Sequence, residues 1–236
     1  YGSDGITGLA NEAIKLSDEH IDASALNTLD NKTTGNIDAS DAQTIFGSCS
    51  DLKIAYNSTK IAGLGDKSIT LTDITGSASD LQTLETATTG SINANSINTI
   101  TGLIADINNA YTSTRITGTG NESIILTDED IDASSLNTLD TNTTGGINAN
   151  TVSTISGLAS DINTAYASNK ITGLGNEAVT LTDITVEASV LNTVNSNTLV
   201  SVDATSVATL TGLISEINFA FASNRITGLG NENITL

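Results

Sequence analysis

The residues of this chain best suited to chemistry are carboxylates that recur in columns. Asp18, Asp73, Asp128 and Asp183 each close a short run of the type L-[ST]-D, at a constant interval of 55 (73 − 18 = 55, and likewise for the rest). A second column holds Asp51, Asp106, Asp161 and Glu216. A third holds Glu12, Glu122, Glu177 and Glu232, interrupted by Lys67. Clustered carboxylates and carbonyls are the ligands of calcium, which takes six to eight oxygens. Asp18, Asp73, Asp128 and Asp183 are therefore candidate calcium ligands. Neighbours within one column would stand roughly 14 Å apart if one repeat held three strand layers, so a site requires different columns to converge. Neither the G-G-x-G-x-D nonapeptide nor an EF-hand loop occurs. The competing reading of Asp183 is structural: an aspartate that caps a turn or the next helix.

Other columns invite chemistry and admit plainer roles. Lys60, Arg115, Lys170 and Arg225 precede each I-[TA]-G, with Gly5 at the first position. A cation following a helix binds its last carbonyls and complements its dipole. Tyr1, Tyr56, Tyr111, Tyr166 and Phe221 form an aromatic column; the Phe marks the hydroxyl as dispensable and the rings as core. Thr28, Thr83, Thr138 and Thr193, with Thr44, Thr99, Thr154 and Thr209, read as inward threonines bonded to backbone carbonyls. His20 and Cys49 occur once each; Cys49 sits in an apolar column and reads as a buried small hydrophobe. No catalytic residue is assigned, and no cofactor other than calcium is implied.

The elements that must position these columns follow from the register. Ile6, Ile61, Ile116, Ile171 and Ile226 open I-[TA]-G without insertion or deletion, dividing the chain into 6–60, 61–115, 116–170, 171–225 and a partial copy, 226–236. The whole chain, 1–236, then forms one continuous repeat array. Within each copy a β-branched residue recurs, as at Ile131, Ile147 and Ile171, and only Gly76 departs from that pattern among thirteen positions running to Ile226. Such residues suit stacked parallel strands, each contributing an inward side chain. Ser24, Ser79, Ser134 and Ser189, and likewise Ser40, Asn95, Asn150 and Thr205, are placed to cap helices. Behind the second set, Val152, Ile155, Ala159, Ile162 and Tyr166 keep helical spacing over about 18 residues. The expected fold is an α/β solenoid of three coils per repeat, two with helical returns and one closed by a glycine turn. Their lengths are the intervals from Ile131 to Ile147, Ile171 and Val186, namely 16, 24 and 15. The alternative geometry is a right-handed parallel β-helix.

Composition narrows the function. Asp and Glu number 27 against 8 Lys and Arg, a formal charge of −19, which repels nucleic acid and anionic membranes. No run approaches the ~20 apolar residues of a membrane span. Aromatic residues make up only 3%, and proline, methionine and tryptophan are absent, so the core rests on aliphatic residues and threonine. One cysteine rules out an intramolecular disulfide framework. The pattern is already running at Tyr1 and stops inside a fifth copy, the expectation being a piece of a longer chain.

The stretches "ITGLGNEAVTLTD" and "INANTVSTISGLASDINTAYAS" resemble tandem repeats of very long surface or secreted proteins of bacteria, marine cyanobacteria in particular. That resemblance implies an extracellular, elongated parent with structural or adhesive duties, and carries over no catalytic residue. The expectation is a non-catalytic segment of an extracellular filament, surface layer or adhesin stalk, associating with flanking repeats or end to end with itself. A calcium-binding adhesion module is the alternative.

Overall fold

The computed structural model describes residues 9–236; the readings that fall on Tyr1, Gly5 and Ile6 lie outside them. In chain order the elements are β1 (Ile14–Lys15), β2 (His20–Asp22), α1 (Ala23–Lys32), β3 (Ile37–Asp38), β4 (Thr44–Gly47), α2 (Cys49–Asn57), β5 (Ile61–Ala62), β6 (Ser68–Leu71), β7 (Thr75–Ser77), α3 (Ala78–Ala87), β8 (Ile92–Asn93), β9 (Thr99–Gly102) and α4 (Ile104–Thr112). They continue with β10 (Ile116–Thr117), β11 (Ser123–Leu126), β12 (Asp130–Asp132), α5 (Ala133–Asn142), β13 (Ile147–Asn148), β14 (Thr154–Gly157), α6 (Ala159–Ala167), β15 (Ile171–Thr172), β16 (Ala178–Leu181), β17 (Thr185–Glu187), α7 (Ala188–Asn197), β18 (Val202–Asp203), β19 (Thr209–Thr211), α8 (Ile214–Ala222), β20 (Ile226–Thr227) and β21 (Asn233–Thr235). Parallel strands thus alternate with helices in a solenoid-like arrangement, and the helices set it apart from an all-strand β-helix. The chain divides into two compact units, Tyr1–Ile100 with Asn109–Glu122, and Thr101–Asn108 with Ser123–Leu236.

In the first unit, β2, β4, β6, β8 and β10 form one parallel sheet, and β1, β3 and β5 another. The first sheet stacks Ile21, Ile45, Ile69, Ile92 and Ile116 in register, all buried. In the second unit, β12, β14, β16, β18 and β20 stack Ile131, Ile155, Val179, Val202 and Ile226 in the same way, and β17, β19 and β21 continue as a further row. Alternation explains the ladder: one β-branched side chain per strand enters the core while its neighbours face out. Each such burial contributes about 1.5–3 kcal/mol.

Pairing corrects the expected coils. Ile131 pairs with Ile155 (155 − 131 = 24), and Val179 with Val202 (202 − 179 = 23). A coil is therefore one such interval, 23 or 24, and the expected short coils of 16 and 15 do not close. Every strand start read from the described residues lies in a strand, but Ile45, Ile69, Ile155, Val179 and Leu210 sit in further strands that the spacing did not separate. The expected long helix is one of these cases. Ile155 lies in β14, and α6 covers only Ala159–Ala167. Gly157, at φ 144°, turns the chain between them, where a Cβ would stand 3.2 Å from the Ala133 Cβ. A ladder partner on β16 outweighs the helical spacing of the apolar residues.

The single exception in the β-branched column has a packing cause. Gly76 lies in β7, and a Cβ there would meet Ile97 Cδ1 at 2.6 Å. The position equivalent to Ile97 is Ala42, Val152 or Val207 in the other copies, where the strand supplies Ile21, Ile131 or Val186. The bulk has moved from strand to turn. The glycine of I-[TA]-G is required for a different reason. Gly63, Gly118, Gly173 and Gly228 adopt φ of 83–91°, which L side chains rarely adopt.

Candidate functional site

The aspartate column proves to be a set of helix caps reaching across coils. Asp73 Oδ2 accepts the N–H of Cys49 at 2.7 Å, Asp128 that of Ile104 at 2.9 Å, and Asp183 that of Ala159 at 2.8 Å. Each recipient is the first residue of α2, α4 or α6 and lies one coil back. A carboxylate here satisfies an orphan amide and faces the positive end of the helix dipole. The capping half of the sequence reading thus points to the preceding coil rather than to the next helix. Local side-chain caps differ: Leu158 and Leu213 precede α6 and α8 and contribute none, whereas Ser48 accepts from the Asp51 N–H at the start of α2. Asp18, the fourth member, is exposed.

The glutamate column is buried chemistry that the sequence reading left unassigned. Glu177 is fully buried and Glu122 is 1% exposed. Tyr166 donates its hydroxyl to Glu177 Oε2 at 2.9 Å, and Tyr111 donates to Glu122 Oε2 at the same distance. The backbone N–H groups of Gly175 and Gly120 supply further donors at 2.8 Å. Burial pushes the Tyr166 hydroxyl well above the usual tyrosine range, with the Glu177 charge adding to it. At Tyr111 and Tyr166 the hydroxyl therefore makes a buried bond and is not dispensable, contrary to what the Phe in the column had suggested. Where Phe221 stands, Glu232 is only half-buried and accepts from the Gly230 N–H. Where Lys67 replaces the glutamate, the lysine pairs with Asp66 and donates to the Ser40 carbonyl.

The cations cap helix C-termini, but not those they follow. Lys60 donates to the Asp30 and Thr33 carbonyls at the end of α1, and Lys170 to the Asp140 and Thr143 carbonyls at the end of α5. Arg115 reaches Thr88 O beyond α3, and Arg225 reaches Thr198 O beyond α7 at 2.6 Å. Three also pair with a carboxylate of the same helix: Lys60 with Asp30 at 3.2 Å, Arg115 with Glu85 at 3.4 Å, Lys170 with Asp140 at 3.3 Å. The helix served lies one coil back.

The serine and threonine expectations shift likewise. The N-caps of α1 and α5 are Asp22 and Asp132, accepting from Ala25 N–H and Ser135 N–H; Ser24 and Ser134 donate to those carboxylates instead of capping. The bonds from Ala25 and Ser24 hold the Asp22 carboxyl below its usual range. Ser40, Asn95, Asn150 and Thr205 lie in turns after short strands, where their N–H groups donate to Asp38, Asn93, Asn148 and Asp203. Thr28, Thr83, Thr138 and Thr193 are not inward. They sit on exposed helix faces and donate at 2.9 Å to the carbonyl one helical turn back. Thr44, Thr99, Thr154 and Thr209 open β4, β9, β14 and β19 and are half-buried, because the next residue along each strand takes the core position.

Two asparagine columns were given no bonding role by the sequence. Asn27, Asn137 and Asn192 donate from α1, α5 and α7 to the Asp51, Asp161 and Glu216 carbonyls of the next helix, at 2.9–3.0 Å. Asn108 and Asn163 do the same from α4 and α6, to Ser135 O and Val190 O at 3.1 Å. For the first three the signal was present as "LNT", an asparagine beside a buried leucine of the helix. Cys49 is buried as expected, its thiol pushed up to about 12 by burial and by Asp73. His20 is exposed at the start of β2.

Among the described residues, no group of three or more His, Cys, Asp or Glu is placed to hold a metal ion. Among them, too, no helix is long and apolar enough to cross a membrane. The convergent geometry of this molecule is thus repeated and internal: carboxylate to helix start, cation to helix end, amide from helix to helix. Comparison with family models, curated proteins and solved structures found no match.

Proposed function

We propose that this chain is a non-catalytic structural segment, a repeated spacer in an extracellular or cell-surface protein of the filament, surface-layer or adhesin-stalk type. One observation carries the reading: the charged columns that could do chemistry make the same coil-to-coil bonds copy after copy. Asp73, Asp128 and Asp183 serve three helices identically, and Lys60, Arg115 and Lys170 serve three others. Repetition of the same bonds from copy to copy favours a structural duty for these columns. Four full copies and a partial fifth form the array in this reading, with flanking repeats or further copies of the chain as partners. An acidic, highly charged surface favours solubility outside the cell and keeps nucleic acid away.

Location is tested by labelling cells that make the parent protein with an antibody raised against the chain. Intact cells should label without permeabilisation, and labelling only after permeabilisation would overturn the reading. The calcium-binding adhesion module is separated by titrating the chain to millimolar calcium and following its melting temperature. The spacer reading expects no change. A saturable rise abolished by Asp183→Asn would establish calcium as a ligand in its place.

A further inference from the structure

The cation column loses its carboxylate in one copy. Lys60, Arg115 and Lys170 pair with Asp30, Glu85 and Asp140, each 30 residues earlier (60 − 30, 115 − 85, 170 − 140). The same interval assigns Arg225 to Asn195. Ser58, Ser113 and Ser168 donate to the three carboxylates, and Ser223 donates to Asn195 Oδ1 at 3.2 Å. The amide thus keeps the serine bond and gives up the charge. Among the described residues Arg225 makes no ion pair. Its Nη1 donates to the Thr198 carbonyl, which fixes the guanidinium and leaves Nε and Nη2 without a partner among them. Asn195 Nδ2, the other end of the amide, is likewise unbonded among the described residues.

A second substitution falls beside the first. Phe219 stands where the other copies have Ile54, Asn109 and Thr164, and it is 61% exposed. Asn195, Phe219, Ala222, Ser223, Asn224 and Arg225 line one groove of about 190 Å³. This outward face is common to the copies. Thr164, Ala167 and Asn169, the counterparts of Phe219, Ala222 and Asn224, are exposed although α7 packs beside α6 and Asn163 bonds to it. A following coil does not supply the charge either. Lys60, Arg115 and Lys170 each have a coil after them, and among the described residues they pair only with the helix before.

We infer that this groove binds an anionic sugar unit, its carboxylate on Arg225 and its ring against Phe219. A guanidinium presents paired, coplanar donors that match a carboxylate, here at the position where the other copies supply a carboxylate of their own. Asn195 Nδ2 adds a neutral donor to the same groove. The exposed Phe219 ring offers a flat apolar surface that the C–H face of a pyranose covers and a bare inorganic anion leaves unused. A volume of about 190 Å³ falls below the ~300–1,000 Å³ of sites that enclose a drug-sized ligand, so the groove holds one unit of a glycan. The chain's charge of −19 selects further: it repels a polyanion, so the ligand carries a single charge. Such a contact is additional to the spacer role and independent of it.

Titrating the isotope-labelled chain with sodium glucuronate at low ionic strength, followed by amide chemical shifts, tests this. Saturable shifts should concentrate at Asn195, Thr198 and the segment from Phe219 to Arg225, with a millimolar Kd. Glucose has the ring without the charge and acetate the charge without the ring; each should bind about tenfold more weakly. Arg225→Gln should lose binding. Asn195→Asp restores the carboxylate of the other copies and should lose binding too while melting no earlier than wild type, which separates the loss from misfolding. Phe219→Thr, the residue of the preceding copy, should weaken glucuronate about fivefold and leave acetate unchanged. Three results overturn the sugar site: no saturable shift up to tens of millimolar, binding undiminished in Asn195→Asp, or acetate bound as tightly as glucuronate. None of them touches the spacer reading, which surface labelling tests separately.

Discussion

Replacing Tyr166 by Phe removes one oxygen and leaves the ring in place. The lost group donates to Glu177 Oε2 at 2.9 Å, and Glu177 is fully buried, so no water takes over the bond. A hydrogen bond to a charged partner contributes about 1.5–3 kcal/mol, and an acceptor left short of a donor inside a protein costs the upper part of that range. Glu177 keeps two other donors, the Gly175 and Asn176 N–H groups at 2.8 and 3.2 Å, which holds the loss to about 2 kcal/mol. For a chain of this size, that is a melting-point drop of roughly 4–8 °C if unfolding is cooperative. Urea denaturation followed by far-ultraviolet circular dichroism gives the free energy. Glu177→Leu and the double variant complete a cycle in which about 1–2 kcal/mol of coupling is expected. Phe221→Tyr is the control, since Glu232 beside it is only half-buried and little gain is expected. A Tyr166→Phe loss under about 0.5 kcal/mol, or strict additivity in the cycle, would refute the assignment of the hydroxyl as a structural bond.

Other outcomes follow from the same contacts. Asp183→Ala uncaps α6 across the coil and should destabilise by about 1 kcal/mol, with the largest change in hydrogen exchange at the Ala159 amide. Gly76→Val should cost about 1–3 kcal/mol by overpacking Ile97, and Ile97→Ala in the same chain should recover most of it; equal costs with and without the second change would show that the bulk is not shared. Tyr56 is pushed up to about 12 by burial, so its folded form holds the proton more tightly than the unfolded chain. That stabilisation is full below about pH 10, the unfolded value, and is lost as pH rises toward 12. Unfolding monitored by circular dichroism across that window should track tyrosinate absorbance, and Tyr56→Phe should flatten the profile. The Cys49 thiol should resist alkylation at neutral pH until the chain is unfolded.

The repeat register and the parallel-strand ladder were legible because each rests on a single residue per position. Ile21, Ile131 and Ile147 announce themselves by type and interval. The coil length was not legible, because strands such as Thr154–Gly157 carry apolar residues that also fit a helical stripe with Ala159 and Ile162. Only the partner strand β16, one coil away, decides between the two. The capping chemistry was visible by residue type but not by address. Asp183 and Lys170 were read as serving the nearest helix, whereas in a stacked coil the nearest groups in space lie one layer back. Glu177 stood in an acidic column with no partner assigned, because nothing in its neighbours tells that the Tyr166 ring, near the end of the preceding helix, folds over to meet it.

Strands and helices advance along this chain at different rates. Strand partners step by 23 or 24, as from Ile131 to Ile155 to Val179 to Val202 to Ile226. Helix starts step by 26 and then 29, as from Ala133 to Ala159 to Ala188 (159 − 133 = 26, 188 − 159 = 29). The two scales work as a vernier. The genetic consequence is a quantum of growth. Removing the sequence of one coil would preserve the strand ladder but set Asp183 and Lys170 against the wrong helix type. The gain or loss of a whole repeat keeps each cap on its own helix type, because 26 and 29 add to 55, so a whole repeat is the expected unit of insertion or deletion.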